Sequence, residues 1–236
     1  MTYIYAALVA LCLVGVGLFL AFRTKQATAK SLIAKTFASL VFVALAVVGL
    51  LNAGNIIVKA MFILALVCGL IGDIILDLKI MHPENKKTYF NFGTLMFGTG
   101  HILYFIGVFM YLSNLAPAVV SQYWWVAFCA LGASILMSIL IIKGAPKLKL
   151  DMTGYKCPCA TYSVLLTFMM IISICISFVV PMCWILAAGF TLFLASDLVL
   201  STQYFGGKEQ NKKLIVINHV LYYVAQILLA SFLFFI

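Results

Sequence analysis

Apolar runs of membrane-crossing length follow one another along nearly the whole of this chain. A helix rises about 1.5 Å per residue and needs about 20 apolar residues to cross the hydrocarbon of a bilayer. Runs of that size fall at about 3 to 22, 34 to 51, 56 to 77, 89 to 112, 119 to 142, 157 to 180, 182 to 204 and 213 to 236. The pattern predicts an all-α integral membrane protein with eight transmembrane helices in a single transmembrane domain over residues 1–236. Composition excludes the alternative of a soluble fold, because 66% of the 236 residues are hydrophobic and only 9% are charged. A water-facing surface of ordinary polarity cannot be assembled from that remainder.

The net charge of +9 invites a nucleic-acid reading, but that requires basic residues gathered on one exposed face. Here they sit between the runs. The connections at 23–33, 78–88, 143–156 and 205–212 are basic, whereas 52–55, 113–118 and Pro181 are short and uncharged. The basic connections alternate with the uncharged ones, so all lie on one side, and Lys59 is the exception. The positive-inside rule makes that side cytoplasmic, with both termini outside, in a multi-pass protein of the cell membrane. Met1 to Phe22 has no basic region before its apolar run and reads as a retained helix. The seven cysteines mostly lie within apolar stretches, where they act as small hydrophobes. A lone Cys157-Pro158-Cys159 makes no metal site without a second ligand pair.

Two short patterns occur twice. Gly72-Asp73-Ile74-Ile75-Leu76 in the third run is matched by Ser196-Asp197-Leu198-Val199-Leu200 in the seventh. His101-Ile102-Leu103-Tyr104 in the fourth is matched by His219-Val220-Leu221-Tyr222 in the eighth. The spacing predicts two parallel four-helix repeats, about 1–112 and 119–236, related by a pseudo-two-fold axis along the membrane normal.

An aspartate at the centre of a membrane helix costs about 2.5 to 3.5 kcal/mol on insertion scales, so its presence points to function. Asp73 and Asp197 both fall in the cytoplasmic half of their runs and are the candidate catalytic pair, expected in one water-accessible pocket. Around them, His219, Tyr222, Tyr223 and Gln226 form one stripe at helical spacing, and His101 and Tyr104 share a face. Such groups also serve as interhelical glue. Lys35 opens the second run, where its amine reaches a lipid headgroup or anchors the helix. Gly93, Gly100 and Gly107 recur every seven residues, as in a close-packing seam. Tyr123, Trp124, Trp125 and Trp184 suit an interfacial aromatic belt.

In their order along the chain, these motifs resemble the signatures of the YhhN-like membrane family, which includes the lysoplasmalogenases. They are Gly72-Asp73, Phe97 through Tyr104, Ser196-Asp197, and Tyr222-Tyr223-Val224-Ala225-Gln226, with Lys35 and Tyr162 as weaker matches. The chain departs from the family pattern at Lys35-Thr36-Phe37, where Lys-Pro-Leu is expected, and at Gln203, where a basic residue often stands. The resemblance implies hydrolysis of the vinyl ether bond of a lysophospholipid substrate, releasing a fatty aldehyde and a glycerophospho-alcohol, with no cofactor or metal. Proton transfer to the β-carbon makes an oxocarbenium ion that water captures, which calls for one acid and one anionic carboxylate. His101, Tyr104, Tyr162, His219, Tyr222 and Gln226 would support the pair or the substrate, and Lys35 would meet the phosphate.

Two other classes fit the same residues. Paired membrane acids also serve as a proton or cation relay in a transporter, although no run here carries proline at its middle. His101, His219, Asp73 and Asp197 have the chemistry of a zinc-type lipid hydrolase.

Overall fold

The computed structural model describes residues 2–26 and 28–236. Among the described residues nine α-helices account for most of the chain: α1 (Thr2–Thr24), α2 (Thr28–Val48), α3 (Ile56–Met81), α4 (Lys86–Leu115), α5 (Pro117–Tyr123), α6 (Trp125–Gly144), α7 (Lys156–Ser177), α8 (Trp184–Phe205) and α9 (Lys212–Ser231). Eight of them are long and apolar enough to cross a membrane, and the ninth, α5, has seven residues. The eight expected spans are therefore present.

Several boundaries differ from expectation. The fifth span begins at Trp125 rather than near residue 119, because Pro117 starts a separate short helix that ends at Tyr123. Proline favours the first turn of a helix, and Tyr123, Trp124 and Trp125 at the break are exposed, as interfacial aromatics are. The third span also runs past its expected end to Met81, since Asp77 and Lys79 both find partners inside the bundle.

Successive spans pack as neighbours: α1 on α2, α2 on α3 and α3 on α4, then α6 on α7, α7 on α8 and α8 on α9. The two sets meet where α4 lies against α7 and α2 against α9, and α1 and α3 also touch α9. The α3–α4 contact is the most extensive, and the glycine seam explains it. A Cβ at Gly93 would lie 2.6 Å from Leu76, one at Gly100 3.0 Å from the Ala65 carbonyl oxygen, and one at Gly107 2.8 Å from Phe62. Each glycine thus admits a neighbour that alanine would displace, as in small-residue helix interfaces.

Lys59 is a structural lysine. It is buried, and its Nζ donates to the carbonyls of Gly49, Asn52 and Ala53 at 2.9, 3.1 and 3.1 Å. Those carbonyls lie where α2 ends, and a cation there satisfies acceptors that the helix leaves open. The one basic residue expected away from the basic side of the membrane thus closes a turn.

Candidate active site between α2, α3, α8 and α9

Three helical stripes converge on Asp73. On α3, Asp73 and Asp77 are one turn apart; on α2, Lys35 and Ser39 are one turn apart; on α9, His219, Tyr222, Tyr223 and Gln226 share a face. Where α2 and α9 flank α3, these stripes interlock. Asp73 is 3% exposed, and its Oδ2 accepts from Ser39 Oγ at 2.7 Å and from the Tyr222 hydroxyl at 2.8 Å. Its Oδ1 lies 3.2 Å from Lys35 Nζ. Lys35 also donates to Asp77 Oδ1 at 3.3 Å, which Arg23 reaches at 3.8 Å. Gln226 Nε2 donates to the Tyr222 oxygen at 2.9 Å, and Tyr223 donates to the Lys35 carbonyl at 3.2 Å. A buried carboxylate persists only with such pairing, and here every partner is itself held by another.

Asp197 has a different setting. On α8 its Oδ2 accepts from the Tyr162 hydroxyl of α7 at 2.6 Å, and Ser196 Oγ lies 3.4 Å from Oδ1. Among the described residues no cation forms an ion pair with it.

The aspartates do not open into one pocket. Asp197 and Tyr162 line a small cavity of about 100 Å³, whose other walls are mainly apolar. A larger cavity of about 480 Å³ is lined by Lys35, Asp77, Arg23, Lys79 and His219. Asp73 is in the wall of neither. Leu76, Leu200 and Tyr204 line both cavities and so form the partition between them. Phe97 links the two aspartates' partners, with its ring 6.1 Å from that of Tyr222 and 6.5 Å from that of Tyr162. Gly72 makes room for it, since a Cβ there would lie 2.8 Å from the Phe97 ring.

The two histidines behave alike. His101 Nδ1 donates to the Phe97 carbonyl at 2.7 Å and His219 Nδ1 to that of Ile215 at 2.8 Å, each four residues back. A carbonyl only accepts, so Nδ1 carries the proton in both. His101 lies 5.6 Å from the Tyr162 ring, and His219 packs 4.7 Å from Phe19. Tyr104 is brought to neither aspartate: it packs between Phe62 and Phe190 and its buried hydroxyl has no hydrogen-bond partner among the described residues. The zinc-type alternative finds no support in this geometry, since among the described residues no three His, Cys, Asp or Glu side chains are grouped to hold a metal.

Sequence reasoning singled out Asp73, Lys35, Tyr222 and Gln226, which the structure brings together, and Asp197 and Tyr162, which it pairs separately, but it expected both aspartates in one pocket and missed Ser39, Asp77, Arg23, Lys79 and Tyr204. For Ser39 and Asp77 the signal was present, as each stands one helical turn beyond a residue already singled out. Compared with known proteins, residues 30–233 match the YhhN family. No curated protein and no solved structure matches the chain.

Proposed function

Since this chain belongs to the YhhN family, matched over residues 30–233, we propose that it is a membrane hydrolase that cleaves the vinyl ether bond of lysoplasmalogens. The observation that carries this reading is the unequal treatment of two intramembrane carboxyls: Asp73 is ion-paired to Lys35, while Asp197 is bonded to hydroxyls. Acid-catalysed addition of water to a vinyl ether needs such a division of labour, one group to give a proton and another to stay negative.

In the proposed reaction Asp197 gives its proton to the β-carbon of the vinyl ether, and the electron pair of the double bond forms the new C–H bond. The α-carbon becomes an oxocarbenium ion, steadied by the standing negative charge of Asp73. Water adds through its oxygen to the α-carbon and its proton returns to Asp197. Asp197 then protonates the glycerol oxygen of the hemiacetal as its C–O bond breaks and takes up the hydroxyl proton, giving a fatty aldehyde and a glycerophospho-alcohol. Tyr162 holds the acid in place, Ser39 and Tyr222 hold the anion, and Gln226 orients Tyr222. The aliphatic and aromatic lining of the smaller cavity excludes bulk water from the cation.

The proposal extends to the frame that carries these groups. The neighbour relations of residues 1–112 recur in 119–236, and exchanging the halves turns the α4–α7 contact into the α9–α2 contact. This supports a repeat built on parallel halves. The basic connections then face the cytoplasm and both termini face outward. A cysteine placed at Lys147 should be shielded from an impermeant thiol reagent applied to intact cells; labelling from outside would reverse the orientation.

The reaction is tested by supplying purified protein with lysophospholipids that differ only at the sn-1 linkage. Fatty aldehyde should form from the vinyl ether and no product from the ester or alkyl ether. Release of fatty acid from the ester would replace the proposed reaction with an esterase.

A further inference from the structure

The larger cavity holds groups that the proposed reaction leaves unused. Five basic side chains stand in its wall against two acidic ones, Asp77 and Glu209. Most of these cations are engaged: Lys35 and Arg23 with Asp77, and Lys86 with Glu209. Lys79 is different. Among the described residues no carboxylate forms an ion pair with it, and its ammonium instead lies 3.0 Å above the ring of Tyr204.

Two further donors in the same wall are idle. Gln203 and Tyr204, 5% and 7% exposed, leave the Gln203 Nε2 and the Tyr204 hydroxyl buried with no hydrogen-bond partner among the described residues. Buried polar groups of native proteins are overwhelmingly paired, so two adjacent idle donors beside an ammonium with no ion pair mark a place for an acceptor-rich anion. Asp77 does not oppose this, because Lys35 and Arg23 already face it.

We infer that the larger cavity seats the phosphate of a single-chain phospholipid, with Lys79 as its cation and the Gln203 amide and Tyr204 hydroxyl as its hydrogen-bond donors. This rests on the proposed hydrolysis only for the direction in which the lipid lies. It reassigns the phosphate from Lys35, whose ammonium is committed to Asp73 and Asp77. Lys79 stands six residues beyond Asp73 on α3, about 9 Å along the axis at 1.5 Å per residue, a span that a glycerol unit with its linkages fills. The shared partition of Leu76, Leu200 and Tyr204 separates this seat from the apolar cavity at Asp197. A lipid with its phosphate on one side of the partition and its chain on the other brings its sn-1 linkage to that carboxyl.

The test is equilibrium binding to the purified full chain in detergent, using an ester-linked lysophospholipid that the proposed reaction leaves intact. A monoacylglycerol of the same chain serves as the phosphate-free control. Wild-type protein should prefer the lysophospholipid. Lys79→Gln should weaken that binding about tenfold, as loss of one charge-assisted contact implies, and leave the monoacylglycerol unchanged. Lys79→Arg should retain it, which separates loss of charge from loss of fold, and Lys147→Gln, outside the cavity, should have no effect. Equal binding of both lipids by wild type, or unchanged lysophospholipid binding by folded Lys79→Gln, would overturn the assignment. Glycerol phosphate competing as strongly as the lipid would make the site one for a free anion and overturn the lipid assignment. Vinyl ether hydrolysis is scored separately: its absence with phosphate-dependent binding intact removes the reaction and leaves the site.

Discussion

Asp73 and Asp197 begin from the same local sequence, a small residue, the aspartate and an aliphatic run, yet they end in opposite company. Asp73 is met by the preceding span α2 through Lys35 and Ser39, and Asp197 by its own preceding span α7 through Tyr162. In the proposed repeat α2 and α7 are counterparts, so each aspartate is approached from the same direction. What changes is the side chain that arrives. A lysine makes a buried ion pair with one carboxyl; a tyrosine leaves the other with hydroxyl partners and no cation among the described residues. In the proposed repeat, one scaffold used twice would give its two carboxyls different company by exchanging a single kind of partner.

The strongest way to break this comparison is to remove the carboxyls. Asp73→Asn and Asp197→Asn nearly preserve shape, and each should lower turnover of a vinyl ether lysolipid by about 100-fold or more, the scale of a lost acid or base. Lys35→Met should come next, and it should act on the fold as well as on turnover. Deleting one partner of a buried pair leaves Asp73 without a cation and Asp77 with Arg23 alone, and costs roughly 3 to 5 kcal/mol, to be seen as a lower thermal midpoint in detergent. The matching change in the other half, Tyr162→Phe, strands no charge. It should reduce turnover about tenfold, the upper end of what one neutral hydrogen bond contributes, with little change in thermal midpoint. Tyr222→Phe should have the smallest effect, since Ser39 Oγ still bonds the same oxygen of Asp73. A Tyr162→Phe protein as unstable as Lys35→Met would show that the two aspartates are held in the same way.

Much of this frame was legible because membrane spans are set by length and apolarity alone. The fifth span was misplaced because Tyr123-Trp124-Trp125 continues the apolar pattern straight across a helix break. The glycine seam on α4 was readable from its period of seven, since close helix contact demands a missing side chain at each crossing. Lys59 was not, because its acceptors are loop carbonyls, which no side-chain pattern displays. Asp77 was overlooked for a related reason: near a span's end a charge needs no partner, and only the approach of Lys35 and Arg23 shows that it has two. The aspartates were expected in one pocket, but Asp197 lines the smaller cavity and Asp73 neither, with Leu76, Leu200 and Tyr204 standing between the two cavities. Tyr104 matches Tyr222 in sequence but faces Phe62 and Phe190 rather than a carboxyl, so a repeated motif guaranteed a repeated helix without a repeated neighbour.

The claim that the two aspartates act as one unit is tested most directly by turnover of Asp73→Asn, Asp197→Asn and the double variant, each shown to be folded. Groups that serve one transition state together are not additive, because removing either already abolishes what the other supports. The account predicts a double variant no slower than the slower single variant. A loss in the double equal to the product of the two single losses, or near-normal hydrolysis by either folded single variant, would contradict it.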